Sequence, residues 1–565
     1  MRIDMNLKRL ITLAVVISAL AAACGGGEPE RLSPEEAEQR LTELVDRIEW
    51  RNEPVGRRES VPPPIQDLAA TLPEIDQFPI VVSPGSGSNR TVAEIFVSSE
   101  KSSPEPRTDS WMIEAAESFN DSGATLSDGT TAQVAIRRIA SGTGYQFIAA
   151  GKDLPAGFSP SNHLWIEMAK THRTMTPVSE QLVPNVAGLV MTSETASELT
   201  AKYGSLDAAT LIEAVIAGDV VMGYTNPFAS STGLNFLLTV LHDFAAGDES
   251  KLVAPDVASV FEQFQAQVPF VALTTLQIRE SVEKENGTLD AFVMEYQTYV
   301  NADSLQTGFE FIPFGIPHDN PLYAVGDVSP GELETLELFA AHAGGQQSRD
   351  LATEFGFDSL QYQSAVAVPS GETLIEAQQL WKDKKDGGLP VYAVFVTDTS
   401  GSMAGTRVSS VQTALESALG FISTETSIGM VEFGDVARKR LDIAEFDLNQ
   451  QGQFAAAVVD MNPIGGTAMY DGILLGLSML ADVRATEPNA KLLLFVLTDG
   501  ETTAGLEFDT AAPVIAGLGI PVYTVGFEAN IDELARLSSL VEAASINANE
   551  DDVEFKMASL FNAGT

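Results

Sequence analysis

Two short stretches bring oxygen donors to places where a folded chain can gather them. Asp398-Thr-Ser400-Gly-Ser402 directly follows the apolar run Val391–Val396, and Thr498-Asp499-Gly500 directly follows Leu492–Leu497. Both runs read as strands. In an open parallel sheet, loops at the carboxyl ends of strands share one edge and form the ligand crevice. Gly465-Gly466-Thr467 precedes a helix expected from near Met469 and can supply a third hydroxyl. The resulting set of Asp398, Ser400, Ser402, Thr467 and Asp499 is all oxygen. Hard donors without histidine or cysteine select Mg²⁺, Mn²⁺ or Ca²⁺ over Zn²⁺. Two carboxylates neutralise one divalent ion. An octahedral ion held by such a set keeps at least one position for an outside oxygen.

Asp398-x-Ser400-x-Ser402, then Thr467, then Asp499 resembles the metal-ion-dependent adhesion site of von Willebrand factor A (VWA) domains. The resemblance covers about residues 388–565 and includes Gly401, Gly466, Gly472 and Gly500 around the ligands. It implies Mg²⁺ as the usual ion, with Mn²⁺ or Ca²⁺ as alternatives. It also implies a protein partner whose Asp or Glu carboxylate completes the coordination.

A second group of hydroxyls lies earlier in the chain. Ser98 and Ser99 follow a strand-like run, and Ser230-Ser231-Thr232-Gly233 precedes a helix expected from Leu234. Hydroxyls and free backbone N–H groups at a helix start suit an anion or a polar solute. The region from about 90 to 385 resembles the extracellular solute-binding proteins of ABC importers, the type II periplasmic binding fold. The segments that carry the likeness are Glu94–Lys101, Ser141-Gly-Thr143-Gly144, Ser159-Pro-Ser161-Asn162 with Trp165, and Thr225-Asn-Pro227 through Gly233. That resemblance implies two lobes, a hinge and a cleft ligand. It adds Ser141, Thr143 and Ser161 to the candidate solute-binding residues.

The elements that must position these groups follow from periodicity. Between about 76 and 385, strand-like runs such as Ala93–Val97 and Ala132–Ile136 alternate with amphipathic helices at Trp111–Phe119, Ala208–Ala217, Leu234–Ala246 and Leu333–Ala341. This alternation predicts α/β architecture. About 310 residues is large for one sheet, so two lobes are expected. Lys382-Asp-Lys-Lys-Asp-Gly-Gly-Leu-Pro390 is the clearest internal boundary. Beyond it, strands at Val391–Val396, Ile428–Phe433, Leu492–Leu497 and Val522–Phe527 predict a second α/β domain over 388–565, Rossmann-like, with a mostly parallel sheet flanked by helices.

At the other end, Lys8-Arg9 precedes the apolar run Leu10–Ala23 and then Cys24-Gly-Gly-Gly. A basic start, a short apolar run and small residues before a cut describe a secretory signal over 1–23. The run is short of the roughly 20 residues that span a bilayer. Leu20-Ala-Ala-Ala-Cys24 resembles a bacterial lipobox, with Ala21 where that family prefers leucine. The resemblance implies cleavage before Cys24, diacylglycerol on its sulfur, and anchoring by lipid alone to the outer face of a bacterial membrane. Ser33, Pro34 and Glu36 read as N-cap, N1 and capping box of a helix running to about Trp50. Residues 24–75 are then expected to form a stalk.

Composition limits the partners. Asp and Glu number 78 against 33 Lys and Arg, a formal net charge of -45. That excess excludes a phosphate-backbone binder and a direct hold on anionic lipid. Cys24 is the single cysteine, so no disulfide within the chain and no Cys-based metal site can form. The five histidines show no HExxH pairing, and neither a Gly-x-Ser-x-Gly elbow nor a Walker A motif occurs. The sequence therefore predicts no enzyme. It predicts an exported, lipid-anchored binding and adhesion protein with a solute-binding-like region. The alternative is the solute-binding component of an ABC importer with the C-terminal domain as regulator.

Overall fold

The computed structural model describes residues 32–61, 71–268, 271–272, 289–357, 362–364, 366–500, 502–527, 536–537, 545–548 and 553–564, with single positions between them. Cys24, the signal sequence and the expected cleavage site lie outside the described residues.

The C-terminal domain is built on a seven-stranded sheet. Its strands run in the order 50–52, 437–445, 427–433, 391–398, 491–498, 522–527 and 545–548. The five strands from 427–433 through 545–548 are parallel, and 437–445 is antiparallel to 427–433. Central strands of such a sheet are covered on both faces and need continuous apolar runs. Phe395 stacks on Phe495 at 5.1 Å and Phe495 on Tyr523 at 5.2 Å, which ties three neighbouring strands along one face. The ring of Phe561, from the last helix (Val553–Gly564), meets Phe395 and Phe495 edge-on. The other face is covered by the helices Met469–Thr486 and Phe508–Leu518.

Residues 33–59 do not form a stalk. Ser33 caps the helix Pro34–Val45, and the capping box with Glu36 is formed as expected. Ala37, Leu41 and Leu44, however, are buried against Met469–Thr486 and Phe508–Leu518. Gly517 makes that fit possible: a Cβ there would lie 2.7 Å from Ala37 Cβ and 3.0 Å from the Leu32 carbonyl. The helix ends at Val45 rather than near Trp50, because Trp50–Asn52 is a strand paired with Ala437–Lys439. Without it, the strand 437–445 would expose unpaired backbone groups at a sheet edge. Val55 then bonds to the Arg440 carbonyl and Glu59 to that of Gly452. The C-terminal domain therefore begins near Ser33, and the region between 71 and 385 is inserted into it.

The inserted region has two sheets, as its length requires. One has six strands in the order 80–82, 131–138, 90–97, 157–159, 322–325 and 175–179. The other has five, in the order 309–313, 187–192, 291–295, 222–225 and 271–272. The chain passes between them at 180–186 and 314–321. There Asn185 and His318 form an isolated antiparallel bridge with N–H···O distances of 2.9 Å each way. The observed architecture is thus α/β, two lobes and a hinge joined to a Rossmann-like domain. Expected helices recur with shifted ends; that at Leu234–Ala246, for example, spans Ser231–Phe244 with Ser230 as N-cap.

Candidate metal centre

The strand Val391–Asp398 ends beside Lys491–Thr498, and the loops after both reach the same edge. Asp398 and Asp499 are buried, with 1% and 8% exposure. Their four oxygens are all engaged. Asp398 Oδ1 accepts from the Ser400 N–H at 2.7 Å, and Oδ2 from Thr498 Oγ1 at 2.6 Å. Asp499 Oδ1 accepts from Ser402 Oγ at 2.8 Å, and Oδ2 from Arg407 Nη1 at 2.8 Å. Ser400 Oγ and Ser402 Oγ lie 3.0 Å apart. Hydrogen bonds thus link four of the five expected ligands into one cluster.

Thr467 is held against the cluster through its backbone. Gly401 N–H donates to the Gly465 carbonyl at 3.0 Å, which joins the first loop to the third. The Thr467 carbonyl accepts from Thr503 and Ala504, and its N–H donates to Thr503 Oγ1 at 2.9 Å. Asp435 Oδ1 fixes the Gly466 N–H at 2.6 Å. Gly465 has φ of +82°, and a Cβ there would come 2.2 Å from Asp435 Oδ2, so both conformation and space require glycine.

Burial pushes the Asp398 carboxyl above the usual carboxylate range, opposed by its hydrogen bonds to Ser400 and Thr498 and reinforced by the charge of Asp499. Two close carboxylates out of water favour a bound cation, which stabilises both ionised forms. The donor set is oxygen throughout, with one exposed hydroxyl, Ser402, at the rim. These residues fit a hard divalent ion. Arg407, Thr498, Thr503 and Asp435 belong to the site but were not expected from sequence. Thr498 stands beside Asp499 in the motif, whereas nothing in spacing marks Arg407.

The hydroxyls expected to bind a solute are placed at the junction of the two lobes, where Ser98, Ser141 and Ser161 bond to one another and Ser230 and Ser231 to neighbouring side chains. Ser161 Oγ donates to Ser98 Oγ at 3.2 Å, and Ser141 Oγ accepts from the Ser161 N–H at 3.3 Å. Ser231 Oγ accepts from Trp165 Nε1 at 2.9 Å, and Ser230 Oγ from Thr225 Oγ1 at 2.9 Å. Thr143 is buried, Ser99 is half-buried, and Thr232 Oγ1 is buried with no partner among the described residues. The lobes touch here: Gly142 N–H donates to the Ala229 carbonyl, and a Cβ on Gly142 would lie 2.1 Å from the Phe228 oxygen.

Sequence reasoning missed the charged groups of this junction. Lys101 Nζ is buried and donates to Ser98 Oγ, the Ser159 and Pro160 carbonyls and Asn320 Oδ1, at 2.9–3.1 Å. Burial lowers its affinity for a proton and raises that of the neighbouring Glu100 carboxyl. His318 Nδ1 lies 2.9 Å from Glu295 Oε1, and Glu295 Oε2 accepts from Asn185 Nδ2 at 2.8 Å. His318 Nε2 faces the Nδ2 groups of Asn162 and Asn235, at 3.2 and 3.3 Å. Both amides are oriented by backbone bonds, so each presents N–H to the ring. His318 therefore accepts at Nε2 and donates from Nδ1.

Comparison with known proteins agrees with the C-terminal geometry. Residues 393–563 match the family model of the von Willebrand factor type A domain. Inter-alpha-trypsin inhibitor heavy chain H4 of Sus scrofa is 28% identical over 133 residues, 23% of this chain and 14% of that protein. The chain thus spans about a seventh of the length of that relative. Among solved structures, a von Willebrand factor type A protein from Catenulispora acidiphila is similar over 31% of this chain and 42% of that one, at 18% identity and a TM-score of 0.28. The periplasmic binding protein AfuA from Actinobacillus pleuropneumoniae is similar over 53% of this chain and 99% of that one, at 11% identity and a TM-score of 0.37. Residues 393–563 of this chain are a von Willebrand factor type A domain.

Proposed function

We propose that this protein is a cell-envelope adhesion and binding protein whose VWA domain holds a divalent cation, Mg²⁺ by preference, and uses it to capture a carboxylate on a protein partner. The observation that carries the reading is the convergence of Asp398 and Asp499, both buried, with Ser400 and Ser402 at the carboxyl edge of the sheet. Asp398, Ser400, Ser402, Thr467 and Asp499 would hold the ion. The ion would supply a Lewis-acidic position for an outside oxygen. The chain's own net charge of -45 repels an acidic partner, so a local cation is needed to bring one in.

In this reading the protein is exported and anchored through lipid on Cys24, and its two-lobed region is a solute-binding-like scaffold. The test is recovery of envelope proteins on the full chain with Mg²⁺ and with EDTA. Recovery that needs metal, and fails with Asp499→Ala, supports the proposal. The same proteins recovered in chelator would refute it. Cys24→Ser should release the protein from membranes; retention of that variant with its acyl label would refute the anchor.

A further inference from the structure

Arg407 is the second residue of the helix Thr406–Ala418, whose N-cap is Gly405. A helix N-terminus carries a positive partial charge, so this end is the less favourable place for a cation. The position is accounted for by the metal loops. Arg407 Nη1 lies 2.8 Å from Asp499 Oδ2 and 3.2 Å from the Ser402 carbonyl. The Asp499 side chain is wholly enclosed, and its other oxygen is taken by Ser402 Oγ. The Arg407 side chain, about one-third exposed, thus sets its guanidinium against the outer side of the carboxylate.

We propose that Arg407 is a built-in competitor of the metal: a tethered monocation that neutralises Asp499 in the metal-free site and gives up Oδ2 when a divalent ion enters. This rests on the metal-binding reading above. The two cations share one carboxylate, so each weakens the hold of the other. The competition sets metal affinity below what the five oxygen ligands alone would give. It also leaves the empty site without two unscreened buried carboxylates.

The test is calorimetric titration of the full-length protein with Mn²⁺, comparing wild type with Arg407→Gln and Arg407→Ala. Removing the charge should tighten Mn²⁺ binding about tenfold. It should also lower the melting temperature in EDTA, so that the metal-induced rise in melting grows. Gln keeps much of the side chain's length and polarity, so it serves if the Ala variant fails to fold. Unchanged or weaker Mn²⁺ binding in folded Arg407→Gln, with wild-type binding intact, overturns the competitor role and leaves the site itself standing. Absence of Mn²⁺ binding in both wild type and variant overturns the site reading, and this proposal with it.

Discussion

Ser402 Oγ donates to Asp499 Oδ1 at 2.8 Å, across 97 residues of sequence, and so joins the loops that follow two neighbouring parallel strands. The same hydroxyl lies 3.0 Å from Ser400 Oγ. These contacts hold the donor groups of the two loops within reach of one another. Divalent metal should therefore stabilise the domain without large rearrangement. At a metal concentration 100 times the dissociation constant, the gain is about 2.7 kcal/mol. Melting of the full chain in Mg²⁺ or Mn²⁺ against EDTA measures it. Asp398→Ala should abolish the response, and identical wild-type curves in metal and chelator would contradict the site.

Glu432 gives a pH dependence of opposite sign to that of a surface ion pair. Burial pushes its carboxyl up to about 7, with Arg440 and Arg438 only partly offsetting the loss of water. The folded state then binds this proton more tightly than the unfolded chain, where the value is about 4.3. For this group, stability is greatest in acid, falls as pH rises from about 4.3 to 7, and levels off above that. The whole excursion is on the order of 3 kcal/mol. Glu432→Gln should remove it. Melting of both proteins from pH 4 to 8 should show curves that diverge toward neutral pH, and parallel curves would refute the assignment.

The packing of Pro34–Val45 on the domain predicts a core-type response from a segment that sequence placed in a stalk. Leu41 is 2% exposed. Leu41→Ala should destabilise the C-terminal domain by about 2–5 kcal/mol. Exposed Glu43 is the control, since Glu43→Ala on a surface position should change stability by no more than roughly 0.5 kcal/mol. Denaturant unfolding followed by tryptophan fluorescence and by proteolysis at 33–60 distinguishes the two. Equal behaviour of the two variants would mean the helix is not part of the domain.

At the hinge, the prediction concerns a proton. His318 Nε2 faces two oriented N–H donors, so the ring hydrogen should sit on Nδ1. Nitrogen NMR of histidine-labelled protein reads the tautomer directly, with His318→Gln for assignment. A proton on Nε2 would show that one of the asparagine amides is turned. Glu295→Ala leaves both Asn185 and His318 without their buried acceptor and should cost about 1–3 kcal/mol for each donor left unpaired.

The meeting of the Asp398 and Asp499 loops was legible because the motif depends on local spacing. Asp398-x-Ser400-x-Ser402 occupies one loop, and strands with continuous apolar runs announce the loops' positions. The two-lobed plan was legible for the same reason, through alternation of periods. What sequence hid were relations between distant segments. The helix Pro34–Val45 shows its apolar stripe and its cap, but nothing in it says which surface covers Leu41 and Leu44. Arg407 is one of 33 basic residues, and its meeting with Asp499 is fixed by the fold alone. The serines at the lobe junction were read as ligand groups because a hydroxyl offers the same chemistry to a solute as to Lys101, Trp165 or another serine.

The insertion of the lobed region has a mechanical consequence. Leu32 enters beside Gly517, at the C-terminal end of the helix that leads into the strand Val522–Phe527. That is the sheet edge opposite the loops of Asp398 and Asp499. The strand Val391–Asp398, which receives the chain back from the lobes, also starts at that edge. A pull between residue 32 and the metal loops would cross the VWA domain from end to end. Tension would run through the packing of Ala37, Leu41 and Leu44 and the edge pairing of Trp50–Asn52. The lobes and their hinge would lie outside that line until residues 33–59 come away. In single-molecule stretching between these two points, the first event should be the peeling of residues 33–59 from the sheet, with the hinge bonds of His318 still intact.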